Sequence, residues 1–243
     1  MTALNRNSKS QELRHAARKI FDTGLQAADA RAAIQRVVVA TDGSKFKIFD
    51  DSLDATNRKI YVVAIGKAGP AMAAGLAEIL GALISRGVLT GPAPRNNGIL
   101  APSIWQVFAG GHPLPNQQSL AAAEAAFELL QRAQDERGLV IFLISGGGSA
   151  MIERPRDGRI TLEDLREANR MLVSSGATIK EINAVRQAFS AIKGGGLSAA
   201  APDADQITLI VSDTNAGDEA SVASGPSLVQ AGYRLSAKEV VSH

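Results

Sequence analysis

LVIFLISGGGSAMI, residues 139–152, passes from six apolar residues directly into a serine, three glycines and a second serine. A continuous apolar run of this length is the pattern of a strand buried on both faces, as in a parallel sheet. One glycine would suffice for a tight turn out of such a strand. Three in succession predict bare backbone whose N–H groups can gather round a phosphate or carboxylate without interference from side chains. Ser145, Gly146, Gly147, Gly148 and Ser149 are therefore candidate ligand-binding residues. GGGSA lacks the G-K-[ST] ending of a Walker A loop and is not the spaced glycine fingerprint of a dinucleotide fold. Pro155 keeps any helix after Ser149 brief, so the amides should matter more than a helix dipole.

Outward from this strand, apolar runs alternate with helical patterns. IYVVAI, residues 60–65, is a second doubly buried strand closed by Gly66, and an alanine-rich helix is predicted over residues 71–84. The three prolines in residues 91–102 make that segment a loop. Residues 105–109 read as a strand, 119–132 as a second alanine-rich helix, 161–173 as a helix with Thr161 and Asp164 as a weak capping box, 182–193 as a further helix, and 206–211 as the last strand. Upstream, residues 37–49 carry β-branched residues around Asp42-Gly43, the mark of a hairpin or extended excursion. Leu13, Ala17, Ile20 and Phe21 recur at helical spacing and predict a first packed helix rather than a transit peptide. Strands separated by helices of this length give an α/β fold: a mostly parallel sheet with helices on both faces.

Composition narrows the function. The 243 residues are 45% hydrophobic, enough for a sizeable core, and the formal net charge of +2 with 4% aromatic residues suggests neither a nucleic-acid footprint nor base-stacking platforms. The absence of cysteine excludes thiolate nucleophiles and Cys-ligated zinc, and three scattered histidines do not make a metal cage. No run of roughly 18 apolar residues spans a bilayer. Cytoplasmic small-molecule chemistry is the expectation, with no nucleic-acid or membrane partner.

In a parallel sheet, ligands bind beyond the carboxyl ends of the strands. Three predicted strands end there in residues suited to chemistry: Gly66-Lys67-Ala68-Gly69, Ser145 to Ser149, and Ser212-Asp213 through Gly217-Asp218. The Lys67 ammonium is placed to reach a phosphoryl group as a mobile point charge. Asp213 and Asp218 are carboxylates of the kind that hold Mg²⁺ against phosphate oxygens or orient an attacking hydroxyl. On the helix expected over residues 182–193, Asn183, Arg186, Ser190 and Lys193 fall within about 80° of one another, opposite Val185, Phe189 and Ile192. That arrangement is a row of donors backed by core. Glu181 fits this row only from the turn before the helix, and His112, in GGHPLPN, reads as a loop-packing residue.

VAIGKAGPAMA, AGGHPLPN, LISGGGSAM, ATIKEINAVRQAFSAIKGGGLSAA and LIVSDTNAGDEASVASGP, in this order and spacing, resemble the glycerate 2-kinase family over about residues 12–228. The resemblance implies a Rossmann-like first domain, ATP-dependent phosphorylation of the 2-hydroxyl of D-glycerate, and ATP and Mg²⁺ as cofactors. It implies Lys67 and Asp213 as catalytic residues and Ser145 to Ser149, Glu181, Asn183, Arg186 and Lys193 as substrate- or nucleotide-binding residues. Asp213 and Asp218 become the metal ligands. Family members carry a second domain after the S-G-P segment. Residues 1–243 are therefore expected to be a single domain equivalent to their first, with residues 229–243 opening the connection. The resemblance leaves open a homo-oligomer, a partner supplying the second half, a binding module for a nucleotide or phosphorylated metabolite without turnover, or an inactive truncated subunit.

Overall fold

A computed structural model describes residues 3–93, 98–214 and 217–228. Residues 229–243, read from sequence as the start of an inter-domain connection, lie outside the described residues. The chain opens with helices α1 (Ala3–Ala27) and α2 (Ala30–Val37), followed by an antiparallel meander of β1 (Val38–Asp42), β2 (Lys45–Ile48) and β3 (Asp51–Asp54). Then come β4 (Ile60–Ile65), α3 (Gly69–Leu80), β5 (Ile84–Gly91), β6 (Trp105–Ala109), α4 (Gln117–Asp135) and β7 (Leu139–Ser145). The short α5 (Gly148–Met151) leads to α6 (Leu162–Ser174), α7 (Ile179–Phe189) and β8 (Asp205–Val211).

The second sheet has five strands in the order β6-β5-β4-β7-β8, every neighbouring pair parallel. Every residue of β4 and of β7 is buried, and the alternation of a strand sends successive side chains to opposite faces. Tyr61, Val63, Ile65, Phe142 and Ile144 pack beneath the alanines of α4, while Val62, Ala64, Ile141 and Leu143 pack against Met72 and Leu76 of α3 and Phe46 of the meander. Small alanines on the buried face of α4 let that helix lie close over the large strand side chains.

The sheet has one more strand than the sequence reading expects. Gly81 ends α3 at φ +46°, and Ile84, expected in the last turn of a helix running to residue 84, starts β5 instead. A glycine with positive φ is a helix stop, not a tolerated interior residue. The loop expected from residue 91 thus begins only after Gly91, the last residue of β5, and residues 94–97 of it lie outside the described residues. α1 is helical as expected but not packed: Leu13, Ile20 and Phe21 are 63%, 75% and 67% exposed. α7 starts three residues earlier than residue 182 and ends at Phe189, four before Lys193, because Ser190 turns extended and bridges Pro155.

Gly87 of β5 pairs with Trp105 of β6, and a β-carbon at Gly87 would sit 2.6 Å from the indole Cδ2. Gly87→Ala is expected to lower stability by about 1–3 kcal/mol through overpacking, read as a fall in the thermal melting midpoint.

Candidate functional site

The carboxyl ends of β4, β7 and β8 lie side by side because the three strands are parallel neighbours with Ile65 opposite Ile144 and Ser145 opposite Val211. The loops that leave them are stapled together. The Lys67 amide donates to the Gly146 carbonyl at 2.9 Å and the Gly66 amide to the Thr90 carbonyl at 3.1 Å. The Ser145 hydroxyl accepts from the Ala68 amide at 3.0 Å and donates to the Ile65 carbonyl at 3.2 Å. Ser145 is buried, and its hydroxyl joins the two loops to each other.

Each of the three glycines makes room for a different neighbour. A β-carbon on Gly146 would strike the Asp213 carboxyl group, whose Cγ would be 2.7 Å away. On Gly147, at φ +83°, it would come within 3.1 Å of the Lys67 Cγ, and on Gly148 within 2.6 Å of the Ala223 Cβ. Lys67 from β4, residues 146–148 from β7 and Asp213 from β8 therefore meet at one place on the rim, Lys67 and Asp213 both exposed.

Beside them opens a cleft of about 440 Å³, lined by Gly147, Ser149 and Arg186 and walled by His112, Leu114 and Arg170. The Arg186 Nε donates to the Asn169 Oδ1 at 2.8 Å. Burial lowers the Arg186 pKa and the Glu153 carboxylate opposes this, but a guanidinium starts so high that it stays charged. Burial first, and then the Lys67 ammonium, lower the pKa of His112. Its imidazole is therefore neutral at pH 7, and Lys67 lies near enough for its charge to be felt there.

Other predicted residues are placed elsewhere. Lys193 does not share a helical face with Asn183 and Arg186, because α7 ends before it. It is 1% exposed and ion-paired with Glu153, equally buried, whose other oxygen accepts from Ser190 at 2.5 Å. Burial lowers the Lys193 pKa against the pull of Glu153. Glu181 lies inside α7 as the third residue of a capping box, accepting from the Thr178 amide and hydroxyl at 2.7 Å each. Asp218 accepts from the Ser221 hydroxyl at 2.8 Å at the start of a short 3-10 segment, Glu219–Ser224. Asn183 is buried and its Oδ1 accepts from Ser224 at 2.8 Å.

Glu153, Asn169 and Ser224 are the site's supporting residues that sequence reasoning missed. Glu153 and Asn169 sit among ordinary polar neighbours with no spacing signal, and Ser224 lay in a quoted motif, VASGP, without a role. Among the described residues no group of three His, Cys, Asp or Glu side chains is arranged to hold a metal, and no helix is long and apolar enough to cross a membrane.

Known proteins match this chain along most of its length. A family described as a domain of unknown function, DUF4147, matches residues 16–243. A glycerate 2-kinase of Pyrococcus horikoshii is 36% identical over 225 residues, 90% of this chain and 48% of that protein. A relative from Agrobacterium vitis that bears a hydroxypyruvate reductase name is 36% identical over 208 residues, 82% of this chain and 45% of that protein. The crystal structure of a glycerate kinase from Thermotoga maritima superposes with a TM-score of 0.67 at 30% identity, over 77% of this chain and 44% of that one. The chain thus spans about half the length of the relatives it matches.

Removing one member of the buried ion pair strands the other charge. Lys193→Met is expected to cost about 3–5 kcal/mol in urea unfolding, and Glu153→Leu with Lys193→Met to regain most of that loss.

Proposed function

The chain belongs to the DUF4147 domain family, and on that premise we propose that its rim phosphorylates the 2-hydroxyl of D-glycerate from ATP. The observation that carries the reading is the convergence of Lys67, the glycine loop and Asp213 from the ends of three different strands. Phosphoryl transfer asks mainly for positioning and charge neutralisation, and this rim brings a cation and a carboxylate to a bare stretch of backbone. Relatives named as glycerate kinases support the substrate class.

In this reading Lys67 neutralises charge on the transferring phosphoryl group. Asp213 orients the acceptor hydroxyl or shares in holding Mg²⁺. Asp213 and Asp218, on the loop after β8, are the carboxylates that would hold that ion, which keeps several waters and takes one or two carboxylates plus phosphate oxygens. The ion when bound supplies further charge neutralisation. Arg186, its Nε fixed by Asn169, is placed to hold an anionic group in the adjoining cleft. Lys193, Glu181 and Ser145 serve the scaffold of the site, since each has its polar atoms engaged by protein partners.

Because the chain spans about half of its relatives' length, binding is measured beside turnover. Calorimetry with ATP·Mg²⁺ and with D-glycerate should detect both ligands. Product analysis should detect 2-phosphoglycerate, falling by about 10²–10³-fold in Lys67→Ala. Ligand binding with no product would make the chain a binding module. NADH-dependent reduction of hydroxypyruvate without phosphoryl transfer would replace the kinase with the reductase named for the Agrobacterium vitis relative.

A further inference from the structure

Ser224 is 1% exposed and stands at φ +61°, between Ala223 at φ +53° and Gly225 at φ +64°. Two successive non-glycine residues in the left-handed region persist only where their surroundings demand it. At Ser224 the surroundings are polar. Its hydroxyl donates to the Asn183 Oδ1 at 2.8 Å and lies 2.8 Å from the Ser149 hydroxyl.

A serine hydroxyl has one proton, and an amide oxygen has none to give. The Ser224 proton is therefore committed to Asn183, and the proton between the two serines has to be that of Ser149. Ser149 lines the cleft beside Gly147 and Arg186, and with its proton turned back into the protein it meets a ligand with lone pairs alone.

We infer that Ser149 is an acceptor-only group that selects a ligand hydroxyl and disfavours a phosphate oxygen, with Ser224 as the positioning residue that sets this polarity through Asn183. Resting on the kinase reading above, this places the hydroxy acid, not the nucleotide phosphates, against Ser149. Its hydroxyl donates to Ser149, and the carboxylate is left for Arg186 in the same cleft. Lys67 and Asp213, which approach the loop at Gly147 and Gly146, are left for the phosphoryl donor.

The test compares D-glycerate with its deoxy analogues, 3-hydroxypropionate and D-lactate, by calorimetry on the full chain. Wild type should bind at least one analogue ~5–10-fold more weakly, the worth of one hydrogen bond. Ser149→Ala should abolish that difference and leave ATP binding unchanged. A difference that persists in Ser149→Ala, or a loss confined to ATP, overturns the inference. Ser224→Ala and Ser224→Gly both free the Ser149 proton, but glycine is the more stable at φ +61°. Both should bind sulfate, whose oxygens only accept, more tightly than wild type does, while Ser224→Gly melts higher. Wild-type sulfate affinity in Ser224→Gly overturns the role of the hydroxyl.

A ligand-free arm separates this from the kinase reading. The melting losses of Ser149→Ala and Ser224→Ala should fail to add in the double variant, and additive losses overturn the hydrogen bond itself. Coupled serines in a wild-type chain that binds no hydroxy acid would overturn the glycerate reading while upholding the bond between the two serines.

Discussion

The parallel register of β4 on β7 is the constraint from which the rest follows. With Ile60 opposite Leu139 and Ile65 opposite Ile144, the two strands end level with each other. Gly66 and Ser145 then face across the sheet so closely that a β-carbon on Gly66 would fall 2.5 Å from the Ser145 hydroxyl. A slip of one residue would turn every side chain of a strand to the opposite face. Here both faces are filled, so the register is held by two cores at once. Burial thereby fixes where Lys67 and the glycine loop meet. The chemistry of the rim depends on hydrophobic matching several residues behind it.

The second support is electrostatic. Glu153 lies two residues after α5, and Lys193 three after Ser190, the residue that bridges Pro155. Their ion pair ties the exit of the glycine loop to the segment after α7. That segment in turn gives the amides of Gly194, Gly195 and Leu197 to the carbonyls of Ser224, Gly225 and Pro226. Desolvating two charges is expensive, so such a pair is a poor source of stability compared with apolar residues of the same volume. It does specify geometry: Glu153 accepts from Lys193, Ser190 and the Arg154 amide, and few other arrangements satisfy both of its oxygens.

What could be read from sequence divides along physical lines. β4 and β7 were legible because burial on both faces leaves an uninterrupted apolar run, a signal local in the chain. The rim followed from them, since three neighbouring parallel strands must end on one edge. β5 was hidden because ISRGVLTG holds an arginine, a serine and two glycines, and its glycine at position 87 answers to Trp105 rather than to anything nearby in sequence. Helical periodicity overran at Lys193 for a related reason. A bridge to Pro155 and a carboxylate forty residues away ended the helix and took the ammonium. α1 failed in the opposite sense: its spacing is helical, but no neighbour among the described residues covers Leu13 or Phe21. Pattern reveals which face is apolar and says nothing about what meets it.

Strain at Ala223 and Ser224 shows how these supports converge. Each non-glycine residue in the left-handed region costs about 1–2 kcal/mol, and a glycine at either position would remove that cost. Yet glycine at 223 would leave a void against Gly148, where the Ala223 methyl fills the space that the missing β-carbon of the loop leaves open. Glycine at 224 would take away the hydroxyl between Asn183 and Ser149. The bare residue and the strained residue are therefore complementary. The loop gives up side chains so that Asp213, Lys67 and Ala223 can come close, and the turn from Ala223 to Gly225 accepts an unfavourable backbone so that the loop behind the rim is packed and its serine oriented. Such preorganisation is what the proposed phosphoryl transfer, a reaction governed by positioning, would require of the protein before its ligands arrive.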